Sequence, residues 1–174
     1  KLRNRHPSIK EDKVLDEWNN IVANAKTRAD EFYRNVARAI DERKIPNIAY
    51  AKKEVSFSRA LHPFLVVTNA RFKGYEMFVG ALDYGEHLNV MWYFTLDTPE
   101  LQRARRSQRH GRSDASIGAQ AMANRIGNKF GKSENWVALD KLTMLDKQEI
   151  EAWAGEVHLI VLDEVRRMMD ELHL

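Results

Sequence analysis

Asp83 and His87 stand four residues apart around Tyr84-Gly85-Glu86, with Asn89 two residues further on. If Asp83 closes a hairpin against His87, the carboxylate faces the imidazole, and an Asp holding a His is half of a nucleophilic triad. The other half has no counterpart. No Gly-x-Ser-x-Gly elbow occurs, cysteine is absent, and the serines, threonines and lysines carry no supporting motif. Polar residues at hairpin ends are routinely solvated, so a structural role is expected for Asp83 and His87. The six histidines, at positions 6, 62, 87, 110, 158 and 173, include no pair at a helical ligand spacing. No metal and no cofactor is expected, and the chain is read as non-catalytic.

Three further groups could carry chemistry. Glu164 falls inside the apolar stripe of the last helix and His158 flanks it. A carboxylate in such a setting has a raised pKa unless paired, and pairing with Arg167 or a sheet residue is the expected outcome. The run GNKFGK at Gly127 to Lys132, followed by Ser133, ends like a phosphate loop. Only three residues separate its glycines, where four are needed, and no buried strand precedes it. The strongest signal is basic: Arg103, Arg105, Arg106, Arg109 and Arg112 crowd, with His110, into a helix expected over 99–112. Its start at Thr98-Pro99-Glu100 combines a capping residue, a first-turn proline and an acid. Like charges at this spacing repel, so the helix gains from an anionic partner: a nucleic-acid backbone, anionic lipid or an acidic protein.

The totals limit that reading. Among 174 residues, 28 Lys and Arg against 25 Asp and Glu leave a net charge of +3. This is small for a dedicated nucleic-acid binder, so any basic footprint must be local. A composition of 44% hydrophobic and 30% charged residues fits one soluble globular domain over 1–174. The absence of cysteine fits a reducing, cytoplasmic setting. No apolar run reaches the length of a bilayer span, and no signal-peptide pattern opens the chain. The opening KLRNRHPSIK lacks an initiator methionine. Residues 1–8 read as a flexible basic terminus, or as the flank of a membrane anchor preceding Lys1.

The elements that must position these residues suggest an α+β domain. A long N-terminal amphipathic helix is expected from Ser8, capped with Glu11, to Lys44 before Pro46, with Asp16 on its polar side. Unbroken, it would be about 54 Å long, against a domain radius of gyration of roughly 16 Å. It must therefore break near Asn19, Asn20 and Asn24, or project and expose Val14, Leu15 and Trp18 as an interface. An antiparallel β-meander of about four strands follows, with Asn47 to Arg59 as a charged edge strand. With Phe72 closing on Tyr75 and Asp83 on His87, one face carries Leu65, Val67, Phe78, Leu82, Val90, Trp92 and Phe94. The other carries Phe64, Val66, Met77, Val79, Met91 and Tyr93. In that register Gly80 leaves room for the Trp92 indole, and Arg71 pairs with Glu76.

A helical C-terminal half is expected to pack on the sheet. It comprises the arginine helix, a small-residue helix from Ser113 to Gly127, a stretch at 134–145 that fits either helix or strand, and a last helix capped by Asp146 and Glu149. The leading functional expectation is a non-catalytic interaction or assembly domain with a protein partner or a second copy. The alternatives are phosphate-backbone binding through residues 99–112, and a small apolar ligand held by Met77, Met91, Tyr93 and Trp153.

Overall fold

Val14, Trp18, Ile21 and Val22 are strand formers, and Asn19 and Asn20 are weak helix formers. Here they lie extended. The computed structural model describes residues 6–97 and 142–173. After a short turn at Glu11–Lys13, the chain forms β1 (Val14–Val22), α1 (Ala29–Arg43), β2 (Ile48–Phe57), β3 (Ala60–Asn69), β4 (Tyr75–Tyr84), β5 (His87–Leu96) and α2 (Met144–Glu171). The strands make one antiparallel sheet in the order β1-β5-β4-β3-β2. The fold is α+β, but the long N-terminal helix is not there. Its first half is a fifth strand paired with β5, and only its second half is helical. The apolar strip expected to project is absorbed: Leu15 is buried, and Val14 and Trp18 are half-buried. The expected helices at 99–112 and 113–127, with Arg103 to Arg112 and the GNKFGK run, lie outside the described residues.

The sheet faces differ from expectation by one residue of register. Tyr84, not Asp83, closes on His87 around Gly85-Glu86, with Gly85 at φ +60. At the other end Asn69 to Tyr75 forms a longer connection, with Gly74 at φ +97. Both differences turn β4 over, because side chains alternate with a period of two. Met77, Val79 and Ala81 therefore join Leu65, Val67, Val90, Trp92 and Phe94 under the helices. Phe78 and Leu82 go to the opposite face with Phe64, Val66, Met91 and Tyr93. Gly80 then lies against Phe64 rather than Trp92, and a Cβ there would collide with the phenyl ring. Arg71 leaves Glu76 and pairs with Asp146 and Glu149 at the start of α2.

Between β3 and β4 the ladder runs only from Leu65↔Val79 to Thr68↔Glu76. Two pairs further on, in the same register, Pro63 would meet Ala81. Proline has no N–H to offer, and the strands part. Tyr33 from α1 fills the gap. Its hydroxyl donates to the Pro63 carbonyl (2.7 Å) and accepts from the Ala81 amide (2.8 Å). Burial raises the Tyr33 hydroxyl pKa to about 12, so it remains a donor.

Released from β4, the β2–β3 hairpin curls over the second face. Its tip, Ser58-Arg59, has φ +50 and +68, the pattern of a two-residue hairpin turn. Phe57 there reaches Tyr93 of β5, with ring centroids 5.3 Å apart. The incoming chain closes the same end. Ser56 donates to Pro7 and accepts from the Ile9 amide, so residues of the expected flexible terminus pair with edge strand β2 before the chain enters β1 at the other edge.

Both helices cover the first face. Thr143 caps α2 in a reciprocal box with Asp146, so Asp146 is the partner rather than the cap. Ile150, Trp153, Val157, Ile160, Val161, Val165 and Met168 face the core as the apolar stripe requires. Glu164, also buried, takes Asn35 Nδ2 (2.8 Å) and Arg167 Nε (2.9 Å). Arg167 and Arg28 both bind Glu31 and Glu171, which ties α1 to α2. No helix among the described residues is long and apolar enough to cross a membrane.

Tyr33→Phe strands the buried Ala81 amide and the part-buried Pro63 carbonyl, so it should lower unfolding stability by about 1–3 kcal/mol in urea titration. A loss below about 0.5 kcal/mol would mean that β3 and β4 close without the hydroxyl. Arg28, then Arg167, hold the Glu31 carboxyl down from 4.5 to about 2. A depressed carboxylate stabilises the fold above its unfolded pKa, and that contribution disappears as pH falls toward the folded value. Between about pH 5 and about pH 2, wild type should therefore lose more stability than Glu31→Gln. Parallel acid titrations of the two would contradict the pairing.

Candidate functional site

The hairpin dyad resolves into a fastening. His87 Nδ1 accepts from the Asn24 amide (3.2 Å), and Asp83 Oδ1 accepts from the Thr27 amide (3.0 Å). Both donor residues have positive φ, +57 and +70, so the β4–β5 turn holds a strained loop between β1 and α1. Asp83 and His87 bind different partners and do not pair as a dyad.

Chemistry gathers instead beside α2. Glu151, Ala154, Gly155 and His158 follow the i, i+3, i+4, i+7 spacing of one helix face. With Asp16, Trp92 and Phe94 they line a cleft of about 340 Å³. Asp16 faces it in the main register of β1: Asp16 pairs with Phe94 and Trp18 with Trp92, so both lie on the side that α2 covers. A β-bulge comes just before, where Val14 pairs with Thr95 and Leu15 is the extra residue.

His158 is held by two tryptophans that pair directly across β1 and β5. The Trp18 and Trp92 rings meet the imidazole edge-on, at centroid distances of 5.4 and 5.6 Å. Trp92 Nε1–H donates to His158 Nδ1 at 3.0 Å. That bond assigns the neutral ring its proton on Nε2, leaving one N–H donor for a further partner. Asp16 accepts only the neighbouring Glu17 amide (2.9 Å), and no lysine or arginine pairs with it among the described residues. Burial pushes its carboxyl pKa up, against the smaller pull of the Glu17 amide.

A second cleft, about 660 Å³, lies on the other flank of α2 beside Ile45, Asn69 and Trp153. Its two guanidiniums are already matched. Arg43 binds Glu156 and Asp163, while Arg71 binds Asp146 and Glu149. Trp153 Nε1 is buried without a hydrogen-bond partner, as is the Tyr75 hydroxyl. Trp153 and Tyr75 both pack on Phe94.

Of the residues expected to line one pocket, Met77 and Trp153 sit under the helices, while Met91 and Tyr93 sit on the opposite face. The sheet separates them, because the register of β4 turns Met77 toward the helices while Met91 and Tyr93 of β5 face the other way. Glu164 is paired as expected. Asp16 and Trp18 were hidden by the helical stripe through β1, and His158 was visible only as a residue flanking the stripe of α2. Among the described residues no group of three His, Asp or Glu is placed to hold a metal ion.

Gly155 carries the emptiness of the cleft into a measurable quantity, since a Cβ built there meets nothing within 4 Å. Glycine within a helix costs about 0.5–1 kcal/mol relative to alanine. Gly155→Ala should therefore raise stability by about that amount in thermal or urea unfolding. A loss of stability would mean the space is already filled.

Comparison with protein-family models, with curated proteins and with solved structures finds no match to this chain.

Proposed function

We propose that this domain binds a small organic ligand in the cleft between α2 and the β1–β5 pair. The observation that carries the reading is the placement of His158. A packed histidine has no need of a fixed tautomer beside an open cavity, yet two tryptophans hold this ring and commit one nitrogen. Asp16 faces the same cleft from β1, in register with Trp18 on the side that α2 covers. Aromatic walls with a few placed polar groups are the usual make-up of small-molecule pockets, and about 340 Å³ is at the small end of their range.

Assembly through a protein partner and phosphate-backbone binding are the competing readings. The first rested on a projecting helix, two apolar sheet faces, the absence of a catalytic constellation and one concentrated basic element; the start of that helix instead forms β1, with Leu15 in the core. The second rests on Arg103 to Arg112, which lie outside the described residues.

The test is fragment screening by NMR on the full chain, following the indole N–H signals of Trp18 and Trp92. Fragments should shift those signals in wild type. Gly155→Leu, which places an isobutyl group into the cleft, should weaken the same fragments by about tenfold or more, a difference of about 1.4 kcal/mol. Its melting temperature shows whether the fold is kept. Fragments that bind the folded variant as well as wild type, or a screen that leaves both indoles unmoved, would rule out the cleft as the ligand site.

A further inference from the structure

The charge and shape of the cleft narrow the ligand class. The geometry assigns to this cleft a small organic cation, an amine on an aromatic or apolar body, with its ammonium group at Asp16 and its ring against Trp92 and Phe94. This rests on the reading of the cleft as a ligand site.

Charge gives the first argument. Asp16 is a carboxylate of the lining, and among the described residues neither lysine nor arginine lines it. An anionic ligand would meet like charge, while a cation gains attraction at partial burial, where the effective dielectric is below that of water. Asp16 itself is half-buried and receives one backbone N–H. A carboxylate with so few donors is under-solvated, and an ammonium supplies a charge-assisted hydrogen bond where water is partly excluded. The upward push on its pKa by burial is consistent with a carboxylate lacking its counter-ion.

Shape gives the second. Trp92 and Phe94 form the sheet floor beside the carboxylate, Phe94 as its direct partner across β1 and β5. Aromatic surface attracts cations through the ring quadrupole and accepts an aryl body by ordinary apolar contact. Trp92 has already given its only donor to His158, so its exposed part offers ring rather than hydrogen bond. Gly155 leaves the helix side open, so the body of the ligand has room to lie along α2. An oxygen acceptor on the ligand would complete the set by taking the His158 Nε2–H.

Titration calorimetry of the full chain with three isosteric probes tests the assignment: 2-phenylethylamine, 2-phenylethanol and phenylacetate. In wild type the amine should bind at least about tenfold more tightly than the alcohol, and the carboxylate should be weakest. Asp16→Asn should bring amine and alcohol to equal affinity, and Asp16→Glu should restore part of the preference. Binding of the amine should also lower the apparent pKa of Asp16, followed by carboxyl NMR, because a neighbouring cation favours the ionised form.

The outcomes separate the two proposals. Equal or tighter binding of the alcohol or the carboxylate, lost in Gly155→Leu, overturns the amine and keeps the cleft. Amine binding that survives Gly155→Leu, or no amine binding at millimolar concentration, overturns the amine at this site. An unchanged preference in a folded Asp16→Asn does so as well.

Discussion

One tyrosine hydroxyl governs the shape of this molecule. Pro63 and Ala81 stand where the β3–β4 ladder would continue, and a regular sheet has no means of satisfying a strand that offers a carbonyl but no N–H. Tyr33 supplies one group that both donates and accepts, at 2.7 and 2.8 Å. A phenylalanine would fill the same volume and satisfy neither. Because the hydroxyl comes from α1, the split in the sheet and the seat of the helix are a single feature. Tyr33 packs edge-to-face on Phe32 of the same helix, and Lys52 of β2 lies over its ring at 4.8 Å.

The split has consequences for both faces. A five-stranded sheet with unbroken ladders would hold β2 and β5 apart by the width of β3 and β4. Freed at its tip, the β2–β3 hairpin instead turns inward until Phe57 meets Tyr93. Phe64 follows it and needs the absent side chain of Gly80 to lie flat on β4. The second apolar face is thereby gathered into a cluster of Val55, Phe64, Val66, Phe78 and Met91. Ile9, from the segment paired along Ser56, joins its margin. On the first face, α2 is left to close the open end between β1 and β5, and its flank there becomes the cleft wall.

The sequence made strands β2 to β5, the end of α1 before Pro46 and the core stripe of α2 legible, because each is marked by periodicity and a local stop or start. It did not make β1 legible. Leu15, Trp18, Val22, Ala25, Phe32 and Val36 all point into one core, so their positions also satisfy a helical stripe that runs across strand, loop and helix. Periodicity cannot separate those cases in a short apolar segment, and pairing with β5 decides it. The face of β4 failed for a narrower reason. A turn centred one residue too early inverts every side chain that follows. The site inherited both errors: Asp16 was read as the polar side of a helix, and the Trp18↔Trp92 pair that holds His158 exists only once β1 is a strand.

The two clefts flanking α2 differ in what they leave open to a ligand. In the larger, each guanidinium already holds two carboxylates, so a ligand would have to displace protein ion pairs to gain its own. Its buried indole N–H, on Trp153, is closed off from solvent. The smaller cleft is arranged in the opposite sense. Its aromatic donor is spent on orienting His158, its carboxylate has no lysine or arginine beside it among the described residues, and the helix opposite presents glycine where any side chain would occupy the space. Such an arrangement costs stability twice over: a half-buried carboxylate and a glycine inside a helix. Packing alone would favour removing both, whereas the proposed ligand, by occupying the space and neutralising Asp16, would account for the two together.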